Sequence, residues 1–197
     1  MRHSLFLRPT ISGDEPVIVL FDDIISPKSS TYDWLLHSLE QMQIDEPAMS
    51  VNIKRGASRL KVQFLCPQGL KFSQTDQFTV SPGRESLPNQ WHLNAWTAAP
   101  ASTARFVTVL MPYREGQEAR LPQVRLIDKP GWLVIELTGS STRQIVTFRT
   151  DAKPGSILKI GNFSTKAEVA ASVFDLQGKT RTTMEVMEKK NKKDQKP

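Results

Sequence analysis

The sequence has few of the residues on which several protein classes depend. Its 197 residues include one cysteine, three histidines, two tyrosines and ten glycines. A single thiol cannot form an internal disulfide, so a disulfide scaffold and a cysteine-rich zinc module are both excluded. The sequence also contains no glycine-rich phosphate loop and no Gly-x-Ser-x-Gly segment. It therefore offers neither a nucleotide-binding loop nor an esterase nucleophile elbow.

Long apolar runs are missing as well. No segment approaches the roughly 20 apolar residues that a transmembrane helix needs, so no membrane partner is expected. The first residues, MRHSLFLRP, contain three consecutive apolar side chains, Leu5 to Leu7. That run is too short for the core of a signal peptide, and none is expected in this chain.

The positive charge is unevenly distributed. The formal net charge is +6, and the tail over residues 185–197 carries five lysines against three acids. With little to bury, this tail is predicted to be disordered. The basic residues of the body are scattered singly along the chain. Nucleic-acid binders usually cluster them on one face, so no nucleic-acid partner is expected.

The pattern that is present is alternation of apolar and polar residues, which predicts strands. Trp91, Leu93 and Ala95, for example, alternate with polar or aromatic neighbours. Buried strands are expected over 17–21, ending at Asp22-Asp23, and over 106–111, with turns at frequent Pro and Gly positions. The sequence predicts an all-β protein, an antiparallel two-sheet β-sandwich, in one domain over residues 1–184.

Two histidines and one carboxylate form a candidate metal set: His3, Asp22 and His37. On neighbouring strands such ligands suit zinc. Their spacing is loose, and the alternative is that both histidines make ordinary hydrogen bonds while Asp22 binds loop amides. Apart from this possible divalent metal, no cofactor is expected. Cys66, with apolar neighbours, is expected to be a buried thiol and no nucleophile.

The aromatic residues suggest contacts with sugars, because Trp and Tyr rings stack on sugar faces. Trp91 and Trp96 are five residues apart, so on one regular strand at most one of them faces solvent. The alternative is that most aromatics fill the core. The predicted carbohydrate-binding residues are Trp96, Tyr113, Arg59, Arg105 and Arg143.

Several stretches, taken in order, resemble the C-terminal β-sheet region of the heparinase II/III-like polysaccharide lyases. The family's Arg-led strand followed by a hydrophobic strand ending in Asp is similar to Arg2–Pro9 and Val17–Ile24. Its strand ending in His is similar to Tyr32–His37. Its later strands are similar to Trp91–Leu93 and Phe106–Pro112. The resemblance spans residues 2 to 180.

The resemblance implies a parent enzyme that cleaves acidic, uronate-containing polysaccharide by β-elimination, in the periplasm or outside the cell. Members of the family have a helical toroid followed by β-sheet layers. Their His-x-His and Asp-x-Gly-Ser-Phe signature is absent here, so no catalytic residue carries over. Only Asp22 and His37 match family positions. We expect a non-catalytic domain that supports an upstream helical catalytic domain.

Two further functions stay open on the sequence. One is a stand-alone carbohydrate-binding module for anionic glycans, which predicts salt-sensitive binding. The other is a small metal-dependent lyase built on the candidate metal set.

Overall fold

The computed structural model describes residues 1–10, 14–77 and 89–187. Nearly all of its regular structure is antiparallel β-strand, and a 3₁₀ helix at Glu118–Arg120 is the one helix in the described ranges. The prediction of an all-β, sandwich-like fold is confirmed. Within the described residues no helix is long and apolar enough to span a membrane.

The chain forms two compact units. Unit 1 comprises Met1–Arg8 and Glu15–Leu121, and unit 2 comprises Pro9–Asp14 and Pro122–Pro197. The single domain expected over 1–184 thus contains two units, and its boundary stays a prediction. Glu185 and Val186, expected in the tail, end the last strand, whereas residues 188–197 lie outside the described residues.

The described residues of unit 1 form nine strands in two antiparallel sheets. A six-stranded sheet has the order β1-β2-β9-β6-β5-β4, and a three-stranded sheet has the order β3-β8-β7. The strands are β1 (Arg2–Leu7), β2 (Val17–Ser30), β3 (Asp33–Ser38), β4 (Gln43–Asp45), β5 (Ser50–Arg55), β6 (Ser58–Cys66), β7 (Lys71–Thr75), β8 (Trp91–Trp96) and β9 (Ala101–Arg114).

Alternating apolar residues from both sheets meet in the core of unit 1. Trp34, Phe72 and Leu93 of the three-stranded sheet join Val62 and Phe64 of the six-stranded sheet in one buried cluster. The Trp34 and Phe64 rings meet edge to face with their centroids 5.1 Å apart. The alternate residues of the three-stranded sheet point away from this core and form the opposite face of that sheet.

Strand β2 does not stop at Asp22-Asp23 as predicted, but continues to Ser30. Its pairing with β9 shifts register between Ile25 and Ser30. Pro27 lies in this irregular stretch, where a residue without an amide hydrogen removes no regular ladder bond. A proline in the sequence therefore marked a bulge and not the end of a strand.

Unit 2 contains a five-stranded sheet, in the order β10-β11-β12-β15-β16, and a two-stranded hairpin, β13-β14. Leu158 and Phe163 of the hairpin share a buried cluster with Trp132, Ile145 and Phe174 of the sheet. The strands are β10 (Gln123–Lys129), β11 (Trp132–Thr138), β12 (Thr142–Arg149), β13 (Leu158–Ile160), β14 (Phe163–Thr165), β15 (Val169–Asp175) and β16 (Thr180–Val186).

Candidate functional site

The three predicted metal ligands are not brought together. Arg2 lies opposite Asp22 and His3 lies opposite Phe21, so His3 and Asp22 project from opposite faces of the six-stranded sheet. His37 lies in the three-stranded sheet. Nowhere in the described ranges do three or more His, Cys, Asp or Glu side chains form a group that could hold a metal ion.

Each of these residues has a different local contact. The buried carboxylate of Asp22 accepts hydrogen bonds from Arg2, 2.5 Å from Nε and 2.8 Å from Nη2. The His3 ring stacks on the Phe21 ring with centroids 6.0 Å apart. Asp23 binds Arg105 instead, as expected of adjacent strand residues that point to opposite faces.

Two of the five predicted carbohydrate-binding residues meet. Arg59 of β6 lies directly opposite Tyr113 of β9. Arg105 lies on β9 about 26 Å from Tyr113, from eight residues at the rise of an extended strand. Trp96 belongs to the three-stranded sheet and Arg143 to unit 2. The sequence-based set is thus divided over several parts of the molecule.

The hairpin of β5 and β6 adds two lysines to the Arg59–Tyr113 pair. Its turn has two central residues, Gly56 and Ala57, between the paired residues Arg55 and Ser58. Gly56 has a φ of 57°, at the position where type II′ turns take glycine. This turn fixes the register that places Lys54 opposite Arg59.

The register creates what we call the basic hairpin surface: Lys54, Arg59, Lys61 and Tyr113. Lys54, Arg59 and Tyr113 form one cross-strand row. Lys61 follows two residues after Arg59 and therefore projects from the same face, about 7 Å along the strand. Three cations and one phenol ring thus share one end of the six-stranded sheet.

Internal contacts hold Arg59 in place and leave the lysines available. Arg59 donates to the carbonyl oxygens of Gly56, at 2.5 Å, and Ser58, at 3.0 Å, and its Nη2 pairs with Glu115. Over the described part of the chain, neither Lys54 nor Lys61 forms an ion pair. Their charges are the ones free to meet an external anion.

The pKa of Tyr113 fits a binding role better than a proton-transfer role. Burial raises the pKa of the Tyr113 phenol, the Glu118 charge raises it further, and the Arg59 charge lowers it in part. The phenol therefore stays protonated at neutral pH. The surface offers ammonium groups, a hydroxyl donor and an aromatic ring, which are groups that hold an anionic, hydroxyl-rich polymer.

A second surface, which we call the outer face, is the side of the three-stranded sheet opposite the core. Leu93 and Ala95 of β8 are buried, so their neighbours point the other way. Two side-chain contacts mark this face: His37 and His92 rings have centroids 4.3 Å apart, and Asn94 Nδ2 donates to Asp33 Oδ1 at 3.3 Å. The outer face consists of Asp33, Leu35 and His37 of β3, His92, Asn94 and Trp96 of β8, and Lys71, Ser73 and Thr75 of β7.

The two tryptophans of β8 are separated as the sequence predicts. Trp91 packs against the core cluster of unit 1, whereas Trp96 lies half-buried on the outer face. Asp33 and Lys71 lie directly opposite Trp96 on its two sides. Trp96 is therefore an aromatic ring flanked by one carboxylate and one ammonium group.

Cys66 lies at the end of β6, and its thiol is not activated as a nucleophile. Burial raises the pKa of Cys66, and the positive charge of Arg105 lowers it only in part. Because the thiolate is the nucleophilic form, this environment disfavours nucleophilic catalysis.

Lys54 and Lys61 were not among the site residues predicted from the sequence. The signal was present as Lys54-Arg55-Gly56-Ala57-Ser58-Arg59, where two small residues, Gly56 and Ala57, separate two strand segments. Read as a two-residue hairpin turn, this segment pairs Lys54 with Arg59. The partners Asp33 and Lys71 of Trp96 had no such signal, because β3 and β7 are separated from β8 in sequence and pair with it only in the folded sheet.

Comparison with known proteins gives no family assignment: no protein-family model matches this chain, and no curated protein matches it.

Proposed function

We propose that this chain is a non-catalytic β domain of a heparinase II/III-like polysaccharide lyase, and that it contacts acidic polysaccharide through the basic hairpin surface. The observation that carries the glycan contact is the cross-strand row of Lys54, Arg59 and Tyr113 with Lys61 beside it. The resemblance of the ordered strand segments to the lyase family supports the assignment to a lyase, and the all-β architecture agrees with it.

The contact with polymer follows from the chemistry of these groups. Lys54 and Lys61 attract carboxylate or sulfate groups as point charges, since no acid of the described residues neutralises them. Arg59 is positioned by Glu115 and adds a partly compensated charge. The Tyr113 ring and hydroxyl can contact the sugar between two charged groups. Binding of this kind is screened by salt.

The proposed division of labour places the reaction elsewhere. Eliminating a uronate substituent requires neutralising the carboxylate, removing the adjacent proton and protonating the leaving oxygen. We assign these steps to an upstream helical catalytic domain, and this chain supports that domain and holds polymer. The proposal places the protein in the periplasm or outside the cell.

The first experiment measures binding to heparan-type, chondroitin-type, alginate and pectin-type polymers at low and high salt. We expect selective binding of one polymer that weakens at high salt. A Lys54→Ala/Lys61→Ala variant should bind about tenfold to thirtyfold more weakly at low salt, at ~1 kcal/mol for each cation near an anionic surface.

The matched control is Lys129→Ala/Lys153→Ala, which removes the same charge from two exposed lysines of unit 2. This variant should bind like the original protein. Equal losses in the two double variants would show that net charge alone drives binding, and no loss at Lys54 and Lys61 would refute the assigned surface.

The alternative, a stand-alone module for anionic glycans, uses the same surface and predicts the same binding. The lyase hypothesis and the module hypothesis differ in the size of the whole protein: the lyase hypothesis requires this chain to be part of a longer polypeptide. An immunoblot of source cells with an antibody to this chain should detect a product much larger than 22.2 kDa if the lyase proposal is right. A product of that mass alone would favour the module.

A further inference from the structure

We propose that the outer face of the three-stranded sheet is a second binding site, specific for an uncharged β-linked pyranose chain, with Trp96 as its stacking platform. This site is separate from the basic hairpin surface. Its ligand differs in charge, so this inference does not depend on the proposed function.

The outer face presents polar groups around one indole ring, that of Trp96. Strand β3 contributes Leu35, which is 64% exposed, and strand β7 contributes the exposed Lys71 and Ser73. The central strand β8 supplies the half-buried side chains between them. A half-buried ring with exposed polar groups on both sides is the arrangement in which an amphipathic ligand gains both contact area and hydrogen bonds.

The cross-strand row of Asp33, Trp96 and Lys71 is complementary to a pyranose ring in shape and in hydrogen-bonding groups. A β-pyranose with equatorial substituents has axial C–H groups on its faces and hydroxyls around its edge. The C–H face can lie on the Trp96 indole. Asp33 and Lys71 lie one strand away on either side, so they are separated by about 10 Å across the sheet. The carboxylate can accept from one hydroxyl and the ammonium can donate to another.

Asn94 supplies a further polar group in the next row. Its amide nitrogen donates to Asp33, at 3.3 Å, which orients both side chains. Its amide oxygen is buried and has no hydrogen-bond partner in the part of the chain that the structure describes. A buried acceptor left unsatisfied costs free energy, and a sugar hydroxyl would satisfy it. The exposed Leu35 lies directly opposite Asn94, and the proposal requires this side chain to move aside so that a sugar hydroxyl reaches the oxygen.

The charge on the outer face selects an uncharged sugar. Besides its two histidines, this face carries one lysine, Lys71, and one acid, Asp33. A uronate lying on Trp96 would gain from Lys71 and lose against Asp33. A neutral ring uses both groups as hydrogen-bond partners, so its binding is independent of salt.

The probes are cellohexaose and xylohexaose, titrated calorimetrically into the full chain at low and high salt. We expect saturable binding of at least one of them with equal affinity at both salt concentrations. Trp96→Ala should weaken binding by about tenfold or more, as for an aromatic hot spot. Trp96→Phe should keep part of the affinity because it keeps a ring.

Lys71→Ala is a second variant, which removes only an exposed side chain and should leave the sheet folded. A loss of oligosaccharide affinity in this variant therefore reports the loss of the ammonium group. Lys129→Ala, which removes one exposed lysine of unit 2, is the matched control and should bind both oligosaccharides normally. No binding of either probe, or equal binding by Trp96→Ala, would overturn the inference. So would a concentration-dependent dimer of the original protein that Trp96→Ala dissociates, because the face would then be an interface between copies.

Because the two sites differ in ligand charge, their tests fail separately. Binding of either hexaose without binding of any acidic polymer would refute only the proposed function. Binding of an acidic polymer without binding of either hexaose would refute only the site at Trp96.

Discussion

Arginine side chains bind carboxylates of the same chain at several places, and this determines which cations can meet a ligand. Arg2 holds Asp22, Arg105 holds Asp23, and Arg143 contacts Glu136. The sequence shows the arginines but not these partners, which come from other strands. The predictions for Arg105 and Arg143 as glycan contacts stay predictions. Lys54 and Lys61, which form no ion pair within the described ranges, emerged as a site only from the fold.

Among these carboxylates, Glu136 is the one that binds two arginines. It accepts hydrogen bonds from Arg143 Nε at 2.5 Å and Arg125 Nη2 at 2.6 Å. Burial alone would raise the pKa of Glu136, but the hydrogen bonds and charges of Arg143 and Arg125 lower it overall below its ordinary value. A carboxylate with a lowered pKa in the folded state stabilises the fold above its unfolded pKa, and this contribution disappears as the pH falls through its folded pKa.

The residue-scale prediction is therefore a pH-dependent effect of Glu136→Gln. At pH 7 the variant should lose roughly 1–2 kcal/mol of unfolding free energy, because hydrogen bonds to a charged group are lost. The difference from the original protein should shrink as the pH falls below about 4.5. Urea unfolding at several pH values measures it.

Glu115→Gln is the control for this prediction, because the Glu115 side chain is 63% exposed and its pair with Arg59 is solvated on that side. Its effect should stay below about 1 kcal/mol. A Glu136→Gln effect that is constant with pH would show that the two guanidinium groups do not stabilise the charged form.

At the scale of elements, two glycines at hairpin turns differ in what surrounds them. Gly56 has a positive φ, and a Cβ built there meets nothing within 4 Å. Gly131, in the turn between β10 and β11, has a φ of 76°, and a Cβ there would lie 2.5 Å from the Ala152 nitrogen. The Gly131 carbonyl also accepts hydrogen bonds from the amides of residues 150, 151 and 152.

We expect Gly56→Ala to cost about 1 kcal/mol, from backbone conformation alone. Gly131→Ala should cost more, about 3 kcal/mol, because backbone contacts must also be displaced. Thermal and urea unfolding of both variants checks the order. Equal costs would mean that the segment around Ala152 moves aside without penalty.

Several strands could be predicted because their patterns are local. Alternating or continuous apolar residues predict strands over Trp132–Leu137, Arg143–Phe148 and Val169–Phe174, and all three runs lie in strands. The sequence around Trp34–His37 also fits a short helix, but its aromatic residues favour a strand, and it lies in β3. The edge strand β16 was missed because all its residues are exposed, so no apolar face marks it. The order of the strands and the two units depend on pairings between distant segments, which alternation does not encode.

At the scale of the whole molecule, the net charge of +6 is itself a source of binding to acidic polymers. Residues 188–197 contain five lysines and two acids, so a chain ending at Met187 has a net charge of +3. If the basic hairpin surface holds the polymer, this truncation should keep polymer selectivity and lose at most a fewfold in affinity at low salt.

Equilibrium binding of the truncated chain, measured on the polymer that the full chain selects, checks this prediction. The Lys54→Ala/Lys61→Ala substitutions should remain damaging in the truncated chain. Loss of all binding on truncation would assign acidic-polymer contact to the lysines after Met187.

The first strand of the chain also has a consequence for any fragment of it. Strand β1 pairs with β2 along its full length and covers one side of a strand whose Val17, Val19 and Phe21 side chains are buried. A fragment beginning after Arg8 would present the bare hydrogen-bonding edge of β2 beside these apolar groups. Such an edge recruits strands from other molecules. We therefore expect fragments that lack β1 to aggregate during expression. In the intact chain, the residues before Pro9 cover this edge of β2 and so prevent self-association through it.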